Sequence, residues 1–225
     1  MGGPLSPPLV DIAFDYVDPG SWMVLLRLDA GVPGVELDPS RIRWRPLEFR
    51  TPEEAPLDAG DAAWRALHEG LRTEVEAMGL SLRMPTRVPR TRKAHELAFH
   101  ARERDRFAAV HRALFRAHFS EGLDLGRVDV LSRVAENAGL DPAEARTVLG
   151  VDRFRDAVVA ERTALLEAGV RGVPTVWSGA EVQQVEEARV EGYHGAQSFA
   201  EALGSVLRIR EHDGGRNADP TTREI

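Results

Sequence analysis

The stretch FDYVDPGSWM, Phe14 to Met23, decides how this chain is read. Val10, Ile12 and Phe14 alternate as a strand does; Asp18 then stands where a helix N-cap belongs, and Pro19 follows at the first helical position. A strand that turns sharply into a helix N-terminus is a common seat of chemistry. Asp18 therefore has two readings: a cap that serves only its own helix, or a carboxylate that faces a ligand. In either case the positive helix end is expected to hold it ionised with a depressed pKa, which makes a weak base at neutral pH. Ser21 lies one turn further in, placed to donate a hydrogen bond to something bound at the helix end, but no activating base accompanies it in sequence.

Bulk composition narrows the chemistry. The 225 residues are 43% hydrophobic and 29% charged, which suits a soluble globular chain able to bury a core. A formal net charge of -7 argues against nucleic acid as a partner. The basic run RVPRTRK, Arg87 to Lys93, reads as solvated surface, with an anionic ligand as the alternative. There is no cysteine, so disulfide exchange, thiolate nucleophiles and cysteine-based metal sites are excluded. The leading residues MGGPLSPPLVD lack the pattern of a signal peptide and no stretch has the length of a membrane span, so a cytoplasmic location and no membrane partner are expected.

Periodicity organises the rest. Leu9 to Tyr16 reads as a strand, Ser21 to Ala30 as a helix, and Arg41 to Phe49 as a second strand, a β-α-β unit with parallel pairing. Then the period lengthens. Asp61 to Leu80, a helical stretch from Arg92 to Gly122, Val128 to Leu140, the Asp141 capping box with Pro142 and Glu144, and Asp152 to Val170 make about five helices. Strand patterning returns at Val173 to Gly179 and Ala188 to Gly195, and a helix from Gln197 to Arg210 closes the domain. Gly2 to Pro8 reads as a flexible lead and 211–225 as a disordered tail.

This layout resembles the DsbA-like branch of the thioredoxin fold. The segment from His100 to Leu149 resembles the helical insertion of FrnE-like members, AGVRGVPTVW (Ala168 to Trp177) their cis-proline segment, and GAQSFAEAL (Gly195 to Leu203) their closing helix. The fold implied is α/β, a thioredoxin-like domain in two parts (9–50 and 168–210) with an all-helical insertion at 51–167. Related members of the clan include 2-hydroxychromene-2-carboxylate isomerases and kappa-class glutathione transferases. In the redox members a Cys-x-x-Cys occupies the first turn, and in the isomerase and glutathione members a serine opens it. Here the turn reads Asp18-Pro19-Gly20-Ser21.

The resemblance implies a groove between the Asp18 turn and a cis Val173-Pro174 bond. Asp18, Ser21, Trp22, Arg90, Arg92, His95, Val173 and Pro174 are its candidate ligand-binding residues, with Asp18 and Ser21 the candidates for catalysis. Tyr16, Trp22 and Trp177 are aromatics for the groove wall, with half-buried core packing as their alternative. Arg90 stands where glutathione-type members carry an asparagine, and Arg90 or Arg92 is expected to pair with Asp18 or to help it bind a carboxylate. His68, His95, His100, His111 and His118 fall on the helical block at spacings that argue for packing or exposure, and no metal is expected. His95 is the one the resemblance sets near the groove.

The leading expectation is a family member that has lost redox chemistry and binds a peptide-like or small anionic ligand. An isomerase-like or glutathione-dependent enzyme is the alternative, and a structural or interaction protein the third. No cofactor is expected, glutathione being the one the resemblance leaves open, and the chain is expected to be a monomer or a homodimer.

Overall fold

The computed structural model describes residues 10–51, 58–83, 85–86, 88–178 and 189–214, with side chains to residue 208. The strand expected before the turn is β1 (Val10–Phe14), and all five of its residues are buried. Alternation along it feeds two cores. Val10, Ile12 and Phe14 enter the larger one, while Ala13, on the opposite face, meets Leu47, Leu165, Val170 and Trp177. Asp11 shares that second face and is neutralised by Arg43, its register partner on the neighbouring strand, with Arg43 Nη2 donating at 2.9 Å.

Asp18 then starts α1 (Pro19–Ala30), and a short 3-10 turn leads into β2 (Ile42–Pro46), which pairs in parallel with β1. Six helices follow: α2 (Ala62–Ala77), α3 (Arg92–Arg102), α4 (Phe107–Phe119), α5 (Val128–Asn137), α6 (Pro142–Gly150) and α7 (Arg155–Glu167). β3 (Thr175–Ser178) and β4 (Arg189–Glu191) complete a mixed sheet in the order β2-β1-β3-β4, with β3 antiparallel to both its neighbours, and α8 (Ala196–Gly214) ends the described chain. α1, α4 and α8 supply the larger core through Met23, Phe115 and Leu203, whereas α7 covers the other face through Leu165.

The helical stretch expected from Arg92 to Gly122 is two helices. It breaks at Glu103-Arg104-Asp105-Arg106, four consecutive exposed charged residues that offer no apolar side chain to the core. Asp105 takes φ 56°, a left-handed conformation that aspartate tolerates better than most residues. The expected capping box is half formed. Asp141 accepts from Ala143 N–H at 2.8 Å, but Glu144 turns away to pair with Arg104. α8 continues to Gly214, beyond the expected end at Arg210, so the first four residues of the tail expected at 211–225 are helical, and its remainder and the lead at 2–8 lie outside the described residues.

Candidate functional site

The Val173–Pro174 peptide bond is cis, and Pro174 abuts the turn: a Cβ placed on Gly20 would lie 2.9 Å from Pro174 Cδ. The turn is closed by its own hydrogen bonds. Asp18 N–H donates to Asp15 C=O at 3.2 Å, while Asp18 Oδ2 accepts from both the N–H and the hydroxyl of Ser21, at 2.5 and 2.6 Å. Ser21 is buried, and its hydroxyl is spent inside the turn, so it does not face a groove as expected.

Asp18 also departs from expectation in its ionisation. Burial pushes its carboxyl up to about 7, the Ser21 hydrogen bonds oppose this, and the charge of Asp15 adds to it. Capping favours the carboxylate locally, but loss of water outweighs it. Sequence reasoning saw the helix end and could not see what covers it.

That cover forms a cleft of ≈ 230 Å³. Val17, Asp18 and Pro19 make one side, Gly172 and Val173 another, and Phe49, Trp64 and Leu67 the remainder. Phe49 and Leu67 are 44% and 45% exposed, large apolar side chains left at the rim. Among the described residues, neither the N–H nor the C=O of Val173 has a hydrogen-bond partner; the chain's next carbonyl, that of Pro174, is taken by Gly192 N–H at 2.7 Å.

Behind the turn lies a buried polar cluster of which sequence reasoning found one member. Asp15 accepts from Phe49 N–H at 2.7 Å and is in hydrogen-bond contact with His95, whose Nε2 lies 3.1 Å from Oδ1. His95 is fully buried, as a prop of the turn rather than a wall of the cleft. Glu48 is buried nearby, its carboxyl raised by burial, lowered by the charge of His95 and raised again by that of Asp15. Nothing local marks Asp15, which is one of three aspartates, with Asp11 and Asp18, in the stretch from Val10 to Asp18.

The remaining candidates are placed elsewhere. Trp22 is buried and stacks on Phe119 with ring centroids 5.0 Å apart, so it belongs to the core. Tyr16 is buried against His111, its hydroxyl 3.0 Å from Nδ1, and Trp177 is buried in the smaller core. None of the three lines the cleft, because the strand and helix periods turn them inward. Arg92 is engaged by Glu96 and Asp152, at 2.5 and 3.0 Å, and Arg90 donates to the Thr51 carbonyl. The expected arginine pairing with Asp18 is therefore not made. All five histidines of the helical block are buried, and among the described residues no group of His, Asp and Glu could hold a metal ion. No described helix is long and apolar enough to cross a membrane.

A second cavity, ≈ 480 Å³, lies between the end of α1 and the start of α8. Its polar groups are already engaged, Arg27 with Glu74 and Tyr193, Gln197 with Glu201.

A cis-proline against the first turn of α1, on this sheet and with this helical block, defines a thioredoxin-fold protein of DsbA type in which both sulfur positions carry oxygen. The model of the DSBA-like thioredoxin domain family matches residues 9–204, and the chain belongs to that family. A relative in Bacillus subtilis, the uncharacterized protein YwbO, is 25% identical over 171 residues, 74% of this chain and 84% of YwbO. Among solved structures, the probable DsbA oxidoreductase of Streptomyces coelicolor superposes with a TM-score of 0.70 at 24% identity, covering 96% of this chain and 93% of its own. A 2-hydroxychromene-2-carboxylate isomerase does so with a TM-score of 0.69 at 20% identity, over 93% and 99%. At these identities the likeness is one of fold.

Proposed function

We propose that this protein is a binding member of the DsbA-like family, which takes a peptide-like ligand in the cleft between the Asp18 turn and Val173 and carries out no thiol chemistry. The observation that carries this reading is that Val173, whose N–H and C=O have no partner among the described residues, lines a cleft whose other walls, Asp18 apart, are apolar or glycine. An extended backbone can pair with such a free peptide edge while its side chains cover Phe49 and Leu67. The volume, below the ~300–1,000 Å³ of drug-sized sites, suits part of a peptide rather than a large cofactor. A small anion is disfavoured because the helix end that would receive it is filled by the protein's own Asp18 carboxyl.

Thermal shift with a panel of short peptides tests the reading, with saturation at 100 times Kd worth about 2.7 kcal/mol. Insulin reduction should read zero throughout, and peptides that leave the melting temperature unmoved would remove the proposal. The second reading, an isomerase-like or glutathione-dependent enzyme, draws on the raised Asp18 carboxyl at the position where a serine is usual. Stabilisation by glutathione, with none by peptides, would favour it.

A further inference from the structure

Asp18 is a carboxyl without a counter-charge. Ser21 donates twice to Oδ2 and the Gly20 N–H also acts on the carboxyl; among the described residues no side chain donates to Oδ1, and no lysine, arginine or histidine forms an ion pair with Asp18. The surrounding charges leave it so. Asp15 acts on it from the end of β1, and His95 of α3 is held by Asp15. Glu48, beyond β2, is another acid of that buried cluster. On α2, His68 is kept neutral by burial, with Nδ1 on the Trp64 carbonyl. Arg50, next to the rim, stands with its guanidinium 5.7 Å from the centre of the Phe49 ring, and no basic side chain is among the residues that line the cleft. Three acids, Asp18, Asp15 and Glu48, stand at or behind the floor of the cleft, and its walls include two aromatic side chains, Phe49 and Trp64.

We infer that the cleft selects a ligand bearing a primary ammonium group, with the cation against Asp18 Oδ1 and the apolar body against Phe49, Leu67 and Val173. This rests on the cleft being the ligand site proposed above. An ammonium supplies the missing counter-charge and three donors, and an aromatic wall adds cation–π attraction. A carboxylate ligand would meet like charge, and a neutral one would bury Asp18 further without pairing it. A peptide meets the requirement with its free N-terminus or a lysine side chain.

Binding is therefore coupled to the ionisation of Asp18. The carboxyl titrates at about 7, so its ionised fraction rises about tenfold between pH 6 and pH 8; affinity for a lysine-type ammonium rises by the same factor, and for a peptide N-terminus, which itself loses its proton at about 7.7–8.0, by about three- to fivefold.

The test uses calorimetry with the tripeptide amide Ala-Phe-Ala-NH2 and its N-acetylated form, at pH 6 and pH 8, on the wild type and Asp18→Asn. The free-amine peptide is expected to bind at least tenfold more tightly than the acetylated one at pH 8. That advantage should shrink at pH 6 and vanish in Asp18→Asn. Equal binding of both peptides, or a preference that survives Asp18→Asn, overturns the ammonium inference and leaves the peptide reading standing. If neither peptide binds, both fall. Should Asp18→Asn fail to fold, the pH dependence of the wild type decides: affinity for the free amine that is flat or falling from pH 6 to pH 8 overturns the inference.

Discussion

Replacing Asp18 with asparagine should make the protein more stable at alkaline pH, and the gain should be pH-dependent. In the folded chain the carboxyl holds its proton to about pH 7, against an ordinary value of 3.8. Between those two values the folded state binds more protons than the unfolded state, so stability falls as pH rises through the window and levels off above it. The full difference of 3.2 pH units corresponds to a ceiling of about 4 kcal/mol at ~1.36 kcal/mol per unit. Asp18 is partly accessible from the cleft, so about half of that, ~2 kcal/mol, is the expected gain at pH 8. Asparagine keeps an oxygen for the Ser21 N–H and cannot ionise, so the variant and wild type should converge near pH 4, separate progressively up to about pH 7 and differ by a constant amount above it. Urea denaturation at pH 4, 5, 6, 7 and 8, read as the difference between the two proteins, is the assay. A difference that stays constant across this range would refute the reasoning, because it would mean that the carboxyl titrates alike in both states. A residue whose removal stabilises its own protein is what a site shaped for a ligand leaves behind.

Two further outcomes are expected. His118 is buried and its pKa lowered to about 4, so the unfolded chain takes up its proton first as pH falls; stability should drop by about 2 kcal/mol between pH 7 and pH 5 from this residue alone, and His118→Gln should flatten that limb in urea titrations. Burial lowers His68, His100 and His111 in the same direction, so the acid limb should steepen beyond the share of His118. Gly20→Ala sets a Cβ 2.9 Å from Pro174 Cδ and 3.3 Å from Tyr193 Cβ, so the turn must move off the sheet. A loss of about 1–3 kcal/mol in chemical denaturation is expected, with weakened peptide binding, and an unchanged midpoint would show that the contact yields freely.

Most of the fold was legible because its signals are local. The alternation through Phe14, the Asp18-Pro19 helix start and the return of strand patterning at Val173 each need only a few neighbouring residues. Where local pattern failed, the deciding interaction lay elsewhere. Glu103 to Arg106 broke a helix because nothing apolar there could be buried, which a periodicity read over a longer window passes across. Trp22 was offered to the groove for its chemistry, but its place on α1 turns it toward Phe119, 97 positions along the chain. Arg90 and Arg92 were matched to Asp18 by family position, and carbonyl and carboxylate partners closer to their own elements claimed them. Asp15 and Glu48 were passed over because a single acid in sequence carries no sign of burial.

What the sequence determined by itself is the chemistry that cannot occur and the element that stands where it would have: without cysteine there is no thiolate, and Asp18 with Pro19 must begin a helix. What only the tertiary structure decided is the state of that aspartate. Capping and the helix dipole act within one turn and favour a carboxylate. Phe49, Trp64 with Leu67, and Val173, brought from three distant stretches of chain, take water from around it and leave no cation in exchange. Desolvation is a property of the assembled neighbourhood, and here its sign is opposite to that of the local rule.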